Sequence, residues 1–168
     1  TDLDNSRLEI LKKIYPSFGE AAKPIDLFDS DRQSIFALKV KKSFDEWTIL
    51  GVFNPDRKNE IIKNISLQRL DLDATKTYLL YDFWNERFFG EITNEINVTI
   101  NPESVSLLSI HEKKNIPQII STDRHILQGA IELENVSWDD NSKILSVISL
   151  GGLNTAYNVF IYLPEEIY

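Results

Sequence analysis

From Ser34 to Asn54 the chain reads S-I-F-A-L-K-V-K-K-S-F-D-E-W-T-I-L-G-V-F-N, and here the spacing of apolar residues changes from helical to alternating. Alternation with a period of two is the mark of a strand with one face turned to a core. Upstream, Leu8, Leu11 and Ile14 recur three apart with Ile10 beside them, Asp4 or Ser6 stands ready as N-cap, and Lys12 and Lys13 fall in the last turn. That pattern predicts a short amphipathic helix over 4–14, closed by Pro16, whose apolar stripe needs a partner. Phe18 to Pro24 reads as a loop. Downstream the strand pattern continues to the end of the chain. Ten strands are expected: 35–41, 47–54, 61–67, 77–83, 95–100, 105–111, 118–121, 130–138, 144–149 and 157–163. Asn54-Pro55-Asp56, Asn101-Pro102, Asp139-Asp140-Asn141 and Gly151-Gly152 supply turn chemistry between them. Short connections make the last three strands an expected antiparallel meander. Many short strands and no second long helix predict a mainly β chain, an antiparallel β-sandwich with one short N-terminal helix. The expected division is a connector with its helix over 1–30 and the sandwich over 31–168.

With 168 residues, 42% of them hydrophobic, one good core can be buried. No apolar run approaches the roughly 18 residues that cross a bilayer, so no membrane partner is expected. The formal net charge of −8 argues against nucleic acid, whose phosphates call for a basic surface. Lys39, Lys41 and Lys42 form the densest basic cluster and read as a solvated strand edge. With no Cys, neither a disulfide nor a thiolate metal site is possible. The acidic N-terminus does not read as a secretory signal, and the lack of any Met reads as a processed product or, the favoured reading, a piece cut from a longer polypeptide. Compartment stays open, export included.

Candidate chemistry is sparse. There is no Gly-x-Ser-x-Gly elbow, His111 and His125 are the only imidazoles, and Gly151-Gly152 lacks the Lys of a phosphate loop. No catalytic residue, metal site or cofactor is expected. Asp71-Leu72-Asp73 and Asp139-Asp140-Asn141 carry oxygen ligands without calcium-loop spacing, and the second reads more simply as a hairpin turn. Three Asn-x-Ser/Thr sequons, at Asn64, Asn97 and Asn135, lie in or beside strands and read as accidents of composition. The aromatic run Tyr81-Asp82-Phe83-Trp84 has two readings. One is a sugar platform, with Trp84, Trp47 and Trp138 as stacking rings and Asp82 bonding hydroxyls. The other is a core wall, with Trp84 packing beneath an adjoining domain.

Two stretches point to a family. Arg7–Phe28 ends in A-K-P-I-D-L-F, and Pro117–Gly129 holds T-D-R-H-I-L-Q-G, with Gly51-Val52-Phe53-Asn54 and Tyr81-Asp82-Phe83-Trp84 between them. Together they resemble the C-terminal region of melibiase-type, α-galactosidase-like glycoside hydrolases, over almost the whole chain. In that family a (β/α)8 barrel carries the catalytic aspartates and an antiparallel sandwich follows it. The resemblance implies a non-catalytic accessory domain whose partner is the missing barrel of the same polypeptide. Leu8, Leu11, Ile14, Tyr81, Phe83 and Trp84 would make that contact. Carbohydrate is the alternative partner, bound by an independent module. Asp123, His125 and Gln128 are expected to fix a long connection through side-chain-to-backbone hydrogen bonds; in the alternative, Asp123 and His125 face the barrel or a glycan.

Overall fold

The computed structural model describes residues 3–29, 31–152 and 155–165. It is mainly β, with several antiparallel sheets and a single α-helix among the described residues.

Helix α1 spans Asn5–Ile14. Asp4 is its N-cap, its carboxylate accepting from the Arg7 backbone N–H at 2.9 Å, and Lys12 and Lys13 occupy the last turn. Tyr15 is extended and Pro16 has no N–H to continue the helix. No side chain of α1 is buried; Leu8, Ile10 and Ile14 are 42%, 47% and 38% exposed.

The strands are β1 (Lys23–Pro24), β2 (Ile35–Lys41), β3 (Glu46–Asn54), β4 (Ile61–Ser66), β5 (Tyr78–Asp82), β6 (Arg87–Ile92), β7 (Glu95–Ile100), β8 (Ser104–Glu112), β9 (Gln118–Thr122), β10 (Leu133–Asp139), β11 (Ile144–Ser149) and β12 (Val159–Tyr162). Six form one sheet in the order β1-β2-β3-β8-β5-β6, and every pairing in it is antiparallel. Three two-stranded ribbons accompany it: β4–β7, β9–β12 and β10–β11.

Both faces of the sheet are buried over its inner strands β2, β3, β8 and β5, which carry apolar residues at odd and even positions alike. Ile35, Ala37, Leu50, Val52, Tyr78, Leu80, Leu108 and Ile110 face Ile65, Ile96, Val98 and Ile100 of the β4–β7 ribbon, with Leu67 and Leu70 from the short 3-10 helix Leu67–Leu70. On the opposite face, Val40, Trp47 and Ile49 pack with Leu127 and Ala130, and Leu79 and Tyr81 pack with Ile120. A fully buried Leu contributes about 1.5–3 kcal/mol, so the fourteen-residue first cluster is the main source of stability.

Four sequence expectations change here. The last three strands do not form a meander: β10 and β11 make a hairpin, and β12 pairs with β9, Val159 opposite Thr122. The strand expected from Ala130 begins only at Leu133, because residues 123–132 form consecutive bends and turns. Gln128 and Gly129 there have φ of 52° and 112°, backbone that cannot continue a strand. The loop expected over 18–24 ends in β1, which extends the main sheet beside β2, and β6 is a further strand that alternation did not reveal.

Candidate functional site

Helix α1 meets the body of the chain along a seam built from residues 122–132. His125 is buried. Its Nε2 lies 3.2 Å from the Ile14 carbonyl and 3.0 Å from that of Pro16, and its Nδ1 accepts from the Leu127 N–H at 3.1 Å. The ring therefore carries its proton on Nε2 and donates to the end of the helix. The Ile126 N–H donates to the Lys13 carbonyl at 2.9 Å. The Lys13 ammonium sits 5.1 Å from the Phe83 ring centre and 5.8 Å from that of Trp84, within cation–π range. The last turn of α1 is thus held at three points while its first two turns stand clear. A groove of about 880 Å³ opens beside it, lined by Glu9, Lys12, Tyr15 and Asp123 together with Leu150 and Tyr157.

The other two residues named with His125 also make internal bonds. Asp123 accepts from the Asn158 backbone and side-chain amides, both at 2.8 Å, tying the end of β9 to the approach to β12. Gln128 accepts from the Ser121 hydroxyl at 2.9 Å, and its Nε2 is buried without a partner. Glu132, also buried, accepts from the Thr122 hydroxyl and from the Ile131 N–H.

A second polar cluster lies on the same side of the sheet. His111 of β8 is buried, with Nδ1 2.9 Å from an Asp45 carboxylate oxygen, and Lys114 donates to the other oxygen at 2.6 Å. Trp47 stacks on the His111 ring at 5.2 Å and 16°. His111 Nε2 is buried without a partner. Burial raises the Asp45 carboxyl, and the hydrogen bond and charge of His111, followed by Lys114, overcome it, so the group sits below its ordinary value. Residue identity along the chain offered no sign of this cluster, whose Asp and His are 66 positions apart. A register placing His111 opposite Trp47, as β3 and β8 have it, was the missing information.

The sugar platform does not assemble as expected. Trp47 is 3% exposed, and its indole N–H donates to the Leu127 carbonyl at 3.3 Å, so its ring is a core ring with no free face. Asp82 is 1% exposed; it accepts from the backbone amides of Trp84 and Asn85, the Asn85 side chain and the Ser106 hydroxyl. Its carboxylate organises the turn after β5, leaving nothing to offer a ligand. Trp84 is half-buried under Lys13, and Trp138 is half-buried with its N–H 3.4 Å from Asp140. Among the described residues no ring contact joins the three tryptophans.

The expected contact surface also needs correction. Tyr81 and Phe83 are 3% and 1% exposed within this chain, so neither can face an adjoining domain. Tyr81 packs on Phe160 at 4.7 Å, and burial pushes its phenol up. Leu8 and Ile14 remain exposed, with Leu11 partly so. No group of three or more His, Asp or Glu among the described residues is arranged to hold a metal ion, and no helix among them is long and apolar enough to cross a membrane.

No family model and no curated protein matches the chain. Among solved structures, part of the chain is similar to part of α-galactosidase I from Mortierella vinacea: 12% identity, TM-score 0.43, covering 54% of this chain and 23% of that one. It is also similar to part of a GH27 β-L-arabinopyranosidase from Geobacillus stearothermophilus: 15% identity, TM-score 0.37, covering 49% of this chain and 21% of that one. The chain thus spans about a fifth of the length of each enzyme.

Proposed function

We propose that this chain is a non-catalytic accessory domain of an α-galactosidase-like glycoside hydrolase, docked through α1 against the catalytic barrel of the same polypeptide. The observation that carries the reading is the state of α1. Its last turn is clamped by His125, Ile126 and the Phe83–Trp84 rings, while Leu8, Ile10 and Ile14 face outward. A ten-residue helix is marginal by itself in water, and an outward apolar stripe on a helix fixed in place gains stability when a second surface covers it. The family resemblance of the 7–28 and 117–129 stretches names that surface as the barrel, with the catalytic aspartates on the barrel's strand ends. This domain's work is then to brace the barrel through α1.

The test is the double variant Leu8→Asp/Ile14→Asp, made both in this chain and in the polypeptide that carries the barrel. Both side chains are solvent-exposed here, so the melting temperature of the chain alone stays within a degree or two. In the longer polypeptide the same pair lowers the melting temperature and the hydrolysis of an aryl α-galactoside together. If the longer polypeptide is indifferent to both substitutions, α1 is not the docking surface.

A further inference from the structure

Strand β11 and the residue after it read I-L-S-V-I-S-L over 144–150, a run with no charge and no proline in a chain of net charge −8. Ile144, Val147, Ile148 and Leu150 are 55%, 40%, 49% and 50% exposed. β11 pairs on one side with β10 and has no strand partner on the other among the described residues. The Leu150 N–H donates to the Glu132 carbonyl at 2.8 Å, on the β10 side. Backbone groups of an antiparallel strand alternate in direction, so Ile144, Ser146 and Ile148 also bond toward β10. Leu145, Val147 and Ser149 then turn their N–H and C=O groups to the open edge.

Natural sheets protect open edges with charges, prolines or short length. The outer strands of the main sheet follow that rule: β1 is two residues long and ends in Pro24, and β6 carries Arg87 and Glu91. β11 does neither.

We infer that β11 is a pairing edge whose occupant is β11 of a second copy of this chain, joined antiparallel across a two-fold axis through Val147. An open antiparallel edge is its own complement under a two-fold rotation. The register centred on Val147 is the one that pairs the whole charge-free run with itself and leaves Lys143 outside the paired segment. In it Val147 meets Val147 of the second copy, and Leu145 meets Ser149 in both directions. These are the residues whose backbone groups point outward, so about six inter-chain hydrogen bonds close. On the outer face Ile144 meets Leu150 and Ser146 meets Ile148, covering the apolar side chains now in water. Charge permits a second copy here: two chains of −8 repel wherever acidic surface meets acidic surface, and residues 144–150 themselves carry no charged side chain. The proposal stands apart from the barrel reading and uses a different surface from the stripe of α1.

The interface falls at the low end of specific contacts, below about 1,200 Å², so the dimer forms at high protein concentration. Sedimentation of the full chain from about 10 µM to about 1 mM is expected to show a monomer–dimer equilibrium. V147K places two ammonium groups at the axis and leaves only monomer over that range, while I62K, an equally drastic change on exposed β4, leaves the equilibrium intact. Thermal melts confirm that both variants fold. Amide exchange adds a residue-level signature: the N–H groups of Leu145, Val147 and Ser149 slow as the dimer forms, and those of Ile144, Ser146 and Ile148 do not change. A chain that stays monomeric throughout, a dimer that survives V147K, or protection that appears on α1 in place of β11 each overturns the assignment.

Discussion

The two faces of the six-stranded sheet are buried by different chemistry. The face toward β4–β7 is hydrocarbon at its centre, with Leu50, Val52, Leu108 and Ile110 at 0–1% exposure, and its buried polar side chains, Thr48, Asn54, Asp82 and Ser106, flank that centre. The opposite face mixes Trp47, Ile49 and Leu79 with Ser109, His111, Gln128 and Glu132, each buried and tied by a directed bond. The first face supplies stability. The second is where α1 is clamped, through His125 and Ile126. Hydrocarbon packing tolerates small adjustments of its partner, whereas a histidine bonded to two carbonyls and one amide accepts a single arrangement.

The contrast is sharpest in what each face loses on substitution. Leu108→Ala on the hydrocarbon face is expected to cost about 2–5 kcal/mol through lost burial and the cavity left behind, read as a large drop in denaturation midpoint with unchanged slope. On the polar face, Asp45→Ala is expected to cost about 1–3 kcal/mol, because it strands the buried His111 Nδ1. Acid separates the two faces as well. Asp45 has its folded value depressed below 3.8, so its contribution is present above that pH and is lost as pH falls through the folded value. Part of the acid limb of the stability curve therefore disappears in Asp45→Asn, whereas Leu108→Ala shifts the whole curve without changing its shape. An identical acid limb in Asp45→Asn would remove the cluster from the account.

His125→Ala is a more local break. It removes the donor to Ile14 and Pro16, and is expected to free α1 while the main sheet keeps its exchange protection. Amide exchange over 8–14 reads the change directly. Smallest is Asp4→Ala, which deletes only the cap: faster exchange in the first turn, with no effect on the clamp at the other end.

The main features of this fold were legible because they are local. The helix limits follow from Asp4 and Pro16, and most strands follow from alternation between turn residues. β6 escaped because Phe88, Phe89 and Gly90 break the alternation, and the β5–β6 pairing shifts register between Leu80 and Tyr81. The partner of β12 is set by contacts with β9 some forty positions earlier, which no turn signal encodes. The burial of Trp47, Tyr81 and Asp82 is hidden from the sequence for a related reason. On a sheet buried on both sides, alternation no longer distinguishes inside from outside, so Trp47, Tyr81 and Asp82 were open to reading as surface residues. Asp82 did carry a local sign, an Asn three positions later that shares its turn, and that sign pointed to structure.

The most direct test of the central claim is amide exchange of Asn5–Ile14 measured twice, in this chain alone and within the polypeptide carrying the barrel. Fast exchange is expected in the first two turns of the isolated chain, and strong protection of the same amides in the longer one. Equal exchange in both would mean that nothing covers the stripe of Leu8, Leu11 and Ile14, and would contradict the reading of this chain as a docked accessory domain.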